Sequence, residues 1–135
     1  MTKHRSNSAF VATLAILLFC APLVYAFTVP SDPSGLSGWW DPREVWMEIE
    51  WDQNPSGENV DKYGIQRADG LDGEFFTLSE KISDPPSGKV KYYDDTIDPE
   101  GEEDYFRYRV RAHNSSGWGG YTGENECVII LPEKK

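Results

Sequence analysis

The chain has 135 residues, a length typical of one domain. Aromatic residues make up 13% of the sequence and hydrophobic residues 39%, a composition that excludes a disordered chain. The formal net charge of −10 opposes binding to nucleic acid or to an anionic membrane and favours solubility. With 12 Gly and 9 Pro residues, the sequence favours short strands separated by turns.

Residues 1–26 have the layout of a secretory signal peptide. A basic start is followed by an apolar run, and the small side chains Val24 and Ala26 occupy the −3 and −1 positions of a cleavage site. An uncleaved membrane anchor is the alternative, although the run is near the lower limit for spanning a bilayer and Pro22 interrupts it. We predict a secreted or periplasmic chain that begins at Phe27 and has no stable membrane anchor after cleavage.

Cleavage would leave an acidic chain with a single cysteine. It removes two of the 13 basic residues and none of the 23 acidic ones, so the 109 remaining residues carry a formal net charge of −12. Cys127 then has no partner for a disulfide within the chain. Its position in the apolar run Cys127–Leu131 predicts a small buried core residue, and an intermolecular disulfide is the alternative.

The first part of the mature chain is predicted to be irregular. Its Pro and Gly residues exclude a helix, so we expect a short edge strand at Phe27–Val29 followed by a loop that carries Trp39 and Trp40. The mature sequence is accordingly divided into a leading segment or linker at 27–44, a domain at 45–132 and a charged tail at 133–135.

Alternation of apolar and polar residues predicts strands in the domain. Apolar side chains alternate with acids across Val45–Trp51 and with three arginines across Phe106–Ala112, which places one set in the core and the other in water. A loop containing Trp118 is expected at Asn114–Gly120. Further strands are predicted at Lys62–Arg67, Glu74–Ser79, Lys89–Asp94 and about Thr122–Leu131. About seven short strands without a helix are the signature of an all-β sandwich.

Several of these segments resemble fibronectin type III domains. The stretch Phe106–Gly117 is similar to the sixth strand and following loop of that family, where alternating apolar residues precede Ala, Asn and Gly. Trp51 resembles the buried tryptophan of the second strand, and Tyr63 resembles the aromatic residue of the third. The resemblance covers Val45–Leu131 and implies an immunoglobulin-like (fibronectin type III) antiparallel β-sandwich of about seven strands.

The resemblance also implies a binding or spacer role, without a cofactor and without catalysis. The fold itself names no ligand, because it carries many unrelated functions. One departure concerns Phe106, which stands where the family has a tyrosine whose hydroxyl bonds to nearby backbone. The hydrogen bonds of this corner are therefore expected to differ from those of the family.

Aromatic side chains are the predicted binding groups. Large rigid rings bury much area at a small entropic cost, which suits both protein and glycan partners. The alternative is structural: Trp39 and Trp40 would close an open end of the sandwich, and Trp118 would pack on its own loop. The predicted binding residues are Trp39, Trp40, Trp118 and Tyr121.

No catalytic or metal-binding residues are predicted. His113 is the one histidine of the mature chain, and it lies outside any catalytic motif. The closest approach to a calcium-binding pattern is the acidic group of Asp94, Asp95 and Asp98, but its spacing does not match a helix-flanked calcium loop. A solvated acidic turn is the alternative interpretation of this group.

These observations favour a secreted or periplasmic, non-catalytic interaction module that binds a protein or glycan through loops and exposed aromatic residues. A structural module of an extracellular assembly, joined by strand pairing at sheet edges, is the alternative. A small secreted hydrolase or an enzyme inhibitor is a third hypothesis. Aromatic side chains converging near Trp118 would favour binding, whereas polar groups converging in a cleft would favour the hydrolase.

Overall fold

The computed structural model describes residues 28–82 and 88–134, so the predicted signal peptide and Phe27 lie outside the described residues. Eight strands are found in these two ranges, together with a short 3-10 turn at Ser56–Glu58. The strands are β1 Ser34–Asp41, β2 Trp46–Asp52, β3 Lys62–Asp69, β4 Phe76–Ile82, β5 Lys89–Asp94, β6 Tyr105–Asn114, β7 Gly117–Tyr121 and β8 Cys127–Ile130. Within this part of the chain, no helix has the length and apolarity needed to cross a membrane.

The strands form two antiparallel sheets. One sheet has the order β1-β2-β5, and the other has the order β4-β3-β6-β7 with β8 also paired to β6. Of the predicted last strand, Thr122–Leu131, the segment Cys127–Ile130 is a strand, β8, which pairs with the end of β6 near Tyr105. The strand β7 lies almost entirely in the predicted loop Asn114–Gly120 and pairs with the end of β6 near His113. The predicted all-β sandwich is confirmed, with β4 two to three residues further along the chain than expected.

The core lies between the sheets and follows the predicted alternation. Met47, Ile49 and Trp51 on β2 are fully buried, as are Tyr63 and Ile65 on β3. The rings of Trp51 and Tyr63 meet edge to face, with their centroids 5.3 Å apart. The apolar residues of β6 are buried as predicted: Phe106, Tyr108, Val110 and Ala112.

Cys127 is part of this core, as predicted. Burial, with a smaller contribution from the charge of Glu126, raises the pKa of its thiol to about 12. The thiol is therefore protonated at neutral pH and behaves as a small apolar side chain.

The loop predicted around Trp39 and Trp40 is wrong, because this segment forms β1 and pairs with β2. Thr28 and Val29, in contrast, are not in a strand. Gly38 is one of the residues on which the loop prediction rests, but in the structure it lies inside a strand. A side chain at this position would collide with the core, because its Cβ would lie 2.8 Å from Ile49 Cδ1 and 2.9 Å from Ile129 Cδ1. The glycine thus allows close packing inside a strand, which is a tertiary requirement that the local sequence does not reveal.

The inward position predicted for Val45 is also wrong. Val45 lies in the β1–β2 turn, 42% exposed, with a left-handed φ of 59°. Its N–H donates to the carbonyl oxygen of Asp41 at 2.8 Å, and the Asp41 carboxylate accepts from the backbone of Arg43 and Glu44. The turn geometry therefore overrides the alternation and holds a β-branched residue in a strained conformation.

Replacing Val45 by glycine should raise the free energy of unfolding by about 1 kcal/mol, because glycine adopts a positive φ without strain. Urea unfolding of the two proteins measures the difference. Glu44→Gly is the matched control, since Glu44 lies in the same turn without a positive φ. It should lose about 0.5–1 kcal/mol. Equal losses in both variants would contradict the strain.

A buried ion pair connects the two sheets next to this core. Arg67 Nη1 on β3 donates to Asp94 Oδ2 on β5 at 2.7 Å, and Asp94 has no exposed surface. The Tyr108 hydroxyl on β6 donates to the same carboxylate at 2.7 Å. Thus Phe106 lacks a hydroxyl, but its neighbour on the same face of β6 supplies one that bonds a side chain of the opposite sheet.

Candidate functional site

The four predicted binding residues lie on different surfaces. Trp40 faces inward opposite Met47 and is partly buried against the core. Trp39 points the other way, 42% exposed on the outer face of the three-stranded sheet. Trp118 and Tyr121 both lie on β7, on the outer face of the five-stranded sheet, where they line one groove.

Trp118 and Tyr121 belong to a stack of alternating cations and rings, which we call the arginine–aromatic stack. Arg109 Cζ lies 4.2 Å from the Phe75 centroid and 4.0 Å from that of Tyr121. Arg111 Cζ lies 4.8 Å from the Tyr121 centroid and 4.3 Å from that of Trp118. The members, in order, are Arg107, Phe75, Arg109, Tyr121, Arg111, Trp118 and Lys62.

A bulge brings both rings of β7 to the same face. Arg111 pairs with Tyr121 and His113 pairs with Trp118, so two residues of β7, Gly119 and Gly120, stand opposite one residue of β6. Without the extra residue, Trp118 and Tyr121 would point to opposite faces. Gly119 and Gly120 lie between them, where a Cβ would collide with Pro30 and Asp32 respectively. The predicted loop at Asn114–Gly120 is therefore a tight turn followed by a bulged strand.

Trp118 lies across the neighbouring strand. A Cβ on Gly64 of β3 would lie 3.2 Å from two atoms of the indole ring, so the missing side chain makes room for it. The indole also meets the His113 ring at a centroid distance of 4.8 Å. Trp118 therefore packs on a neighbouring strand as well as beside its own turn.

The cations of the stack differ in their polar partners. Lys62 Nζ pairs with Glu80 Oε2 at 3.1 Å, and Arg109 Nε donates to Gln66 Oε1 at 2.8 Å. Arg107 Nη2 donates to the carbonyl oxygen of Gly73 at 2.9 Å. The Arg111 guanidinium forms no hydrogen bond or ion pair with any residue that the structure describes, although it touches two rings.

A shallow groove runs over the centre of this face. Its walls come from β3, β4, β6 and β7, so four strands must be in register to form it. The lining residues are Gly64, Gln66, Thr77, Glu80, Arg111, Trp118 and Tyr121. The groove thus combines ring surface, an amide, a hydroxyl, a carboxylate and a guanidinium, a composition suited to binding rather than to acid–base chemistry.

Comparison with known proteins shows which solved structures share this architecture. No protein-family model matches the sequence, and no curated protein matches it. Among solved structures, an Fn3-like protein from Clostridium thermocellum superposes with a TM-score of 0.57 at 19% identity, covering 80% of this chain and 99% of that one. The chain has a fibronectin type III-like fold.

Two multidomain structures contain the same fold. The FN1–FN3 domains of chicken CNTN1 match at 19% identity with a TM-score of 0.55, over 76% of this chain and 33% of that one. The twitchin kinase region from C. elegans matches at 12% identity with a TM-score of 0.61, over 80% of this chain and 18% of that one. This fibronectin type III-like chain therefore corresponds to one unit of those larger proteins.

The acidic residues weighed as calcium ligands do not form a site in this fibronectin type III-like sandwich. Asp94 is buried, and both of its oxygens accept hydrogen bonds, from Arg67 and Tyr108 on one side and Thr96 on the other. Asp95 and Asp98 are exposed. Over 28–82 and 88–134, no three His, Cys, Asp or Glu residues are grouped so that they could hold a metal ion.

His113 lies at the rim of the stack. Its Nδ1 is 2.7 Å from Asp61 Oδ1, and its ring contacts Trp118. The described contacts of the imidazole are therefore the Asp61 carboxylate and the Trp118 ring, and neither is the hydroxyl or thiol nucleophile that a catalytic histidine activates. The arrangement gives no support to the hydrolase hypothesis.

Sequence reasoning missed most of the stack in this fibronectin type III-like domain. The arginines of β6 were predicted only to face water, and Lys62, Gln66 and Phe75 were not singled out. One sequence signal could have predicted it: Arg107, Arg109 and Arg111 lie on one face of a predicted strand, and aromatic residues follow close by in the sequence. Its interpretation requires the register Arg111–Tyr121 and the bulge beside it, which no local pattern supplies.

Proposed function

We propose that the chain is an exported, non-catalytic interaction module that binds a protein or glycan partner in the groove on the outer face of its five-stranded sheet. The fibronectin type III-like fold is typical of non-catalytic interaction and structural modules. The convergence of Trp118, Tyr121 and Arg111 in one groove supports the binding role. Aromatic residues and arginine are the residue types that most often dominate binding energy at interfaces.

Export is supported by the leader pattern of residues 1–26. The exported chain would begin at Phe27, and the intact mass of protein collected outside the cytoplasm would reveal this. A chain that retains Met1 would contradict the export part of the proposal without affecting the groove.

The groove is a better binding site than the other candidate surfaces for a physical reason. Tyr121 contacts the guanidinium groups of Arg109 and Arg111 at centroid distances of 4.0 and 4.8 Å, and Trp118 contacts that of Arg111 at 4.3 Å. The rings therefore have little freedom left to lose on binding. Trp40 is already covered by the core. Trp39 stands on the opposite sheet, away from the stack.

Trp118→Ala should weaken partner binding about 30-fold, the effect expected of an interface residue worth about 2 kcal/mol. Titration of the mature chain against a glycan array and against purified proteins of the extracellular fraction identifies a partner and measures its affinity. Trp39→Ala is the matched control, because it removes an exposed tryptophan from the other sheet and should change the affinity less than twofold.

Circular dichroism of both variants checks that the fold is retained. Unchanged affinity in a folded Trp118→Ala protein would sink the groove as the binding site.

The outer face of the three-stranded sheet favours a structural role as the second candidate function. The rings of Trp46 and Tyr93 lie 4.9 Å apart there, beside the exposed Trp39 and Val45. Light scattering would show concentration-dependent oligomers that Trp39→Ala, but not Trp118→Ala, disperses. That result would move the function from partner binding to assembly.

A further inference from the structure

We propose that the Arg111 guanidinium binds a carboxylate group of the ligand, and that the ligand of the groove is a polysaccharide containing uronic acids. The inference rests on the proposed function and deepens it, because it names the chemical group that the groove recognises. The inference starts from the side-chain hydrogen bonds of Arg111, which has no described partner, whereas the neighbouring arginines have partners.

Three arginines on β3 and β6 have polar partners. Arg67 bonds Asp69, Asp94 and Thr96. Arg107 bonds a backbone carbonyl, and Arg109 bonds Gln66. Arg111 makes no such bond to the described residues. A guanidinium carries five N–H donors in a fixed fork, and that fork matches a carboxylate through two parallel hydrogen bonds.

The stack prepares Arg111 for this task. Trp118 and Tyr121 enclose its guanidinium, with centroid distances of 4.3 and 4.8 Å. A confined arginine loses little conformational entropy when it captures a ligand. The rings also cover part of the guanidinium, and a partly desolvated cation interacts more strongly with an anion.

Charge complementarity defines the ligand further. Glu80 is the carboxylate of the groove, and Lys62 pairs with it at 3.1 Å, so the positive charge of Arg111 is not cancelled by it. The mature chain, without residues 1–26, has a formal net charge of −12 and repels densely charged anions. A ligand that presents well-separated carboxylates among uncharged groups satisfies both conditions.

The other groove residues suit sugar hydroxyls. Thr77 accepts a hydrogen bond from Gln66 at 3.2 Å, and its own hydroxyl hydrogen can be donated outward. Glu80 offers acceptor oxygens at the same wall. A uronic acid chain carries one carboxylate per ring and several hydroxyls that each donate and accept, whereas an acidic peptide offers one backbone donor and one backbone acceptor per residue beside its carboxylate. The lining therefore favours the sugar.

The test measures binding of the mature chain to the hexamer of galacturonic acid by calorimetry. Binding is expected for the acid and not for its methyl ester, which keeps the hydroxyls and loses the charges. Arg111→Gln and Arg111→Lys should each weaken binding about tenfold or more, because the lysine keeps the charge but not the fork. Arg43→Gln is the matched control; it removes an exposed arginine from the β1–β2 turn and should change affinity less than twofold.

Several results would overturn the inference. These are equal binding of the acid and its ester, equal losses in Arg43→Gln and Arg111→Gln, no binding of the hexamer, or tighter binding of a glutamate hexapeptide. If the hexamer fails while another partner still requires Trp118, the uronic acid inference fails and the binding groove stands. If no partner requires Trp118, both fail.

Discussion

Replacement of Arg67 by methionine should lower the free energy of unfolding by about 3–5 kcal/mol, because it leaves a buried carboxylate without its counter-charge. The Arg67–Asp94 pair has an N–O distance of 2.7 Å, and Asp94 is completely buried. Methionine fills most of the volume of the arginine stem, so the loss reports the charge rather than a cavity. Urea unfolding at neutral pH measures it.

The same pair gives stability a dependence on pH. Burial by itself would raise the pKa of Asp94, but hydrogen bonds from Thr96, Tyr108 and Arg67 outweigh it and hold the pKa below its usual value. Because the folded pKa is below the unfolded one, the stabilisation is complete above the unfolded pKa and is lost as the pH falls through the folded pKa. In Arg67→Met the midpoint of acid unfolding should move to higher pH.

Two controls isolate the charge. Tyr108→Phe removes one donor to Asp94 and should cost about 1–2 kcal/mol, less than the loss of the counter-charge. Arg43→Met alters an exposed arginine and should stay within about 0.5 kcal/mol of the wild type. An Arg67→Met protein as stable as Arg43→Met would show that the buried pair makes no net contribution.

Truncation of Trp51 to alanine should cost about 3–5 kcal/mol, since it empties the largest fully buried side chain of the core. The indole also meets the Tyr63 ring edge to face at 5.3 Å, and this contact adds to the burial of area. Chemical unfolding measures the loss. If the alanine variant does not fold, Trp51→Leu should show a smaller loss of unfolding free energy, again because buried volume is removed from the core.

Trp39→Ala provides the comparison for this core substitution. Trp39 is 42% exposed on an outer face, and its truncation should cost no more than about 1 kcal/mol. The two tryptophans are only 12 positions apart in the sequence, so a difference in stability reflects burial and not location along the chain. Equal losses would contradict the position of Trp51 between the sheets.

Local alternation was sufficient to predict most of the sandwich. Across the predicted strands Val45–Trp51 and Phe106–Ala112, each apolar residue predicted to face inward is buried, with the exception of Val45. The exception is instructive, because the hydrogen bond from the Val45 N–H to Asp41 extends the hairpin turn through Val45, so β2 begins at Trp46, one residue later than the alternation suggests. A turn is set by backbone hydrogen bonds, which the apolar pattern does not encode.

Glycine limited the prediction where it serves packing. In β1 the sequence was interpreted as a loop because of its Pro and Gly residues, yet Gly38 is the position where Ile49 and Ile129 approach the backbone. In β7 the same misinterpretation hid a strand, where Gly119 and Gly120 accommodate the segment that includes Pro30 and Asp32. The partners of these glycines are remote in sequence, so their role is visible only in three dimensions.

The sequence by itself determined the class of fold, the core residues of β2, β3 and β6, and the residue types available for binding. Those properties depend on side chains alternating along one strand, which is a local geometric rule. The tertiary structure decided which aromatic residues act together. Trp118 and Tyr121 reach the same groove as Arg111 because a bulge in β7 shifts the register against β6 and Gly64 leaves space on β3. Such a site depends on the pairing of distant strands, and that pairing is fixed only when the sheets pack.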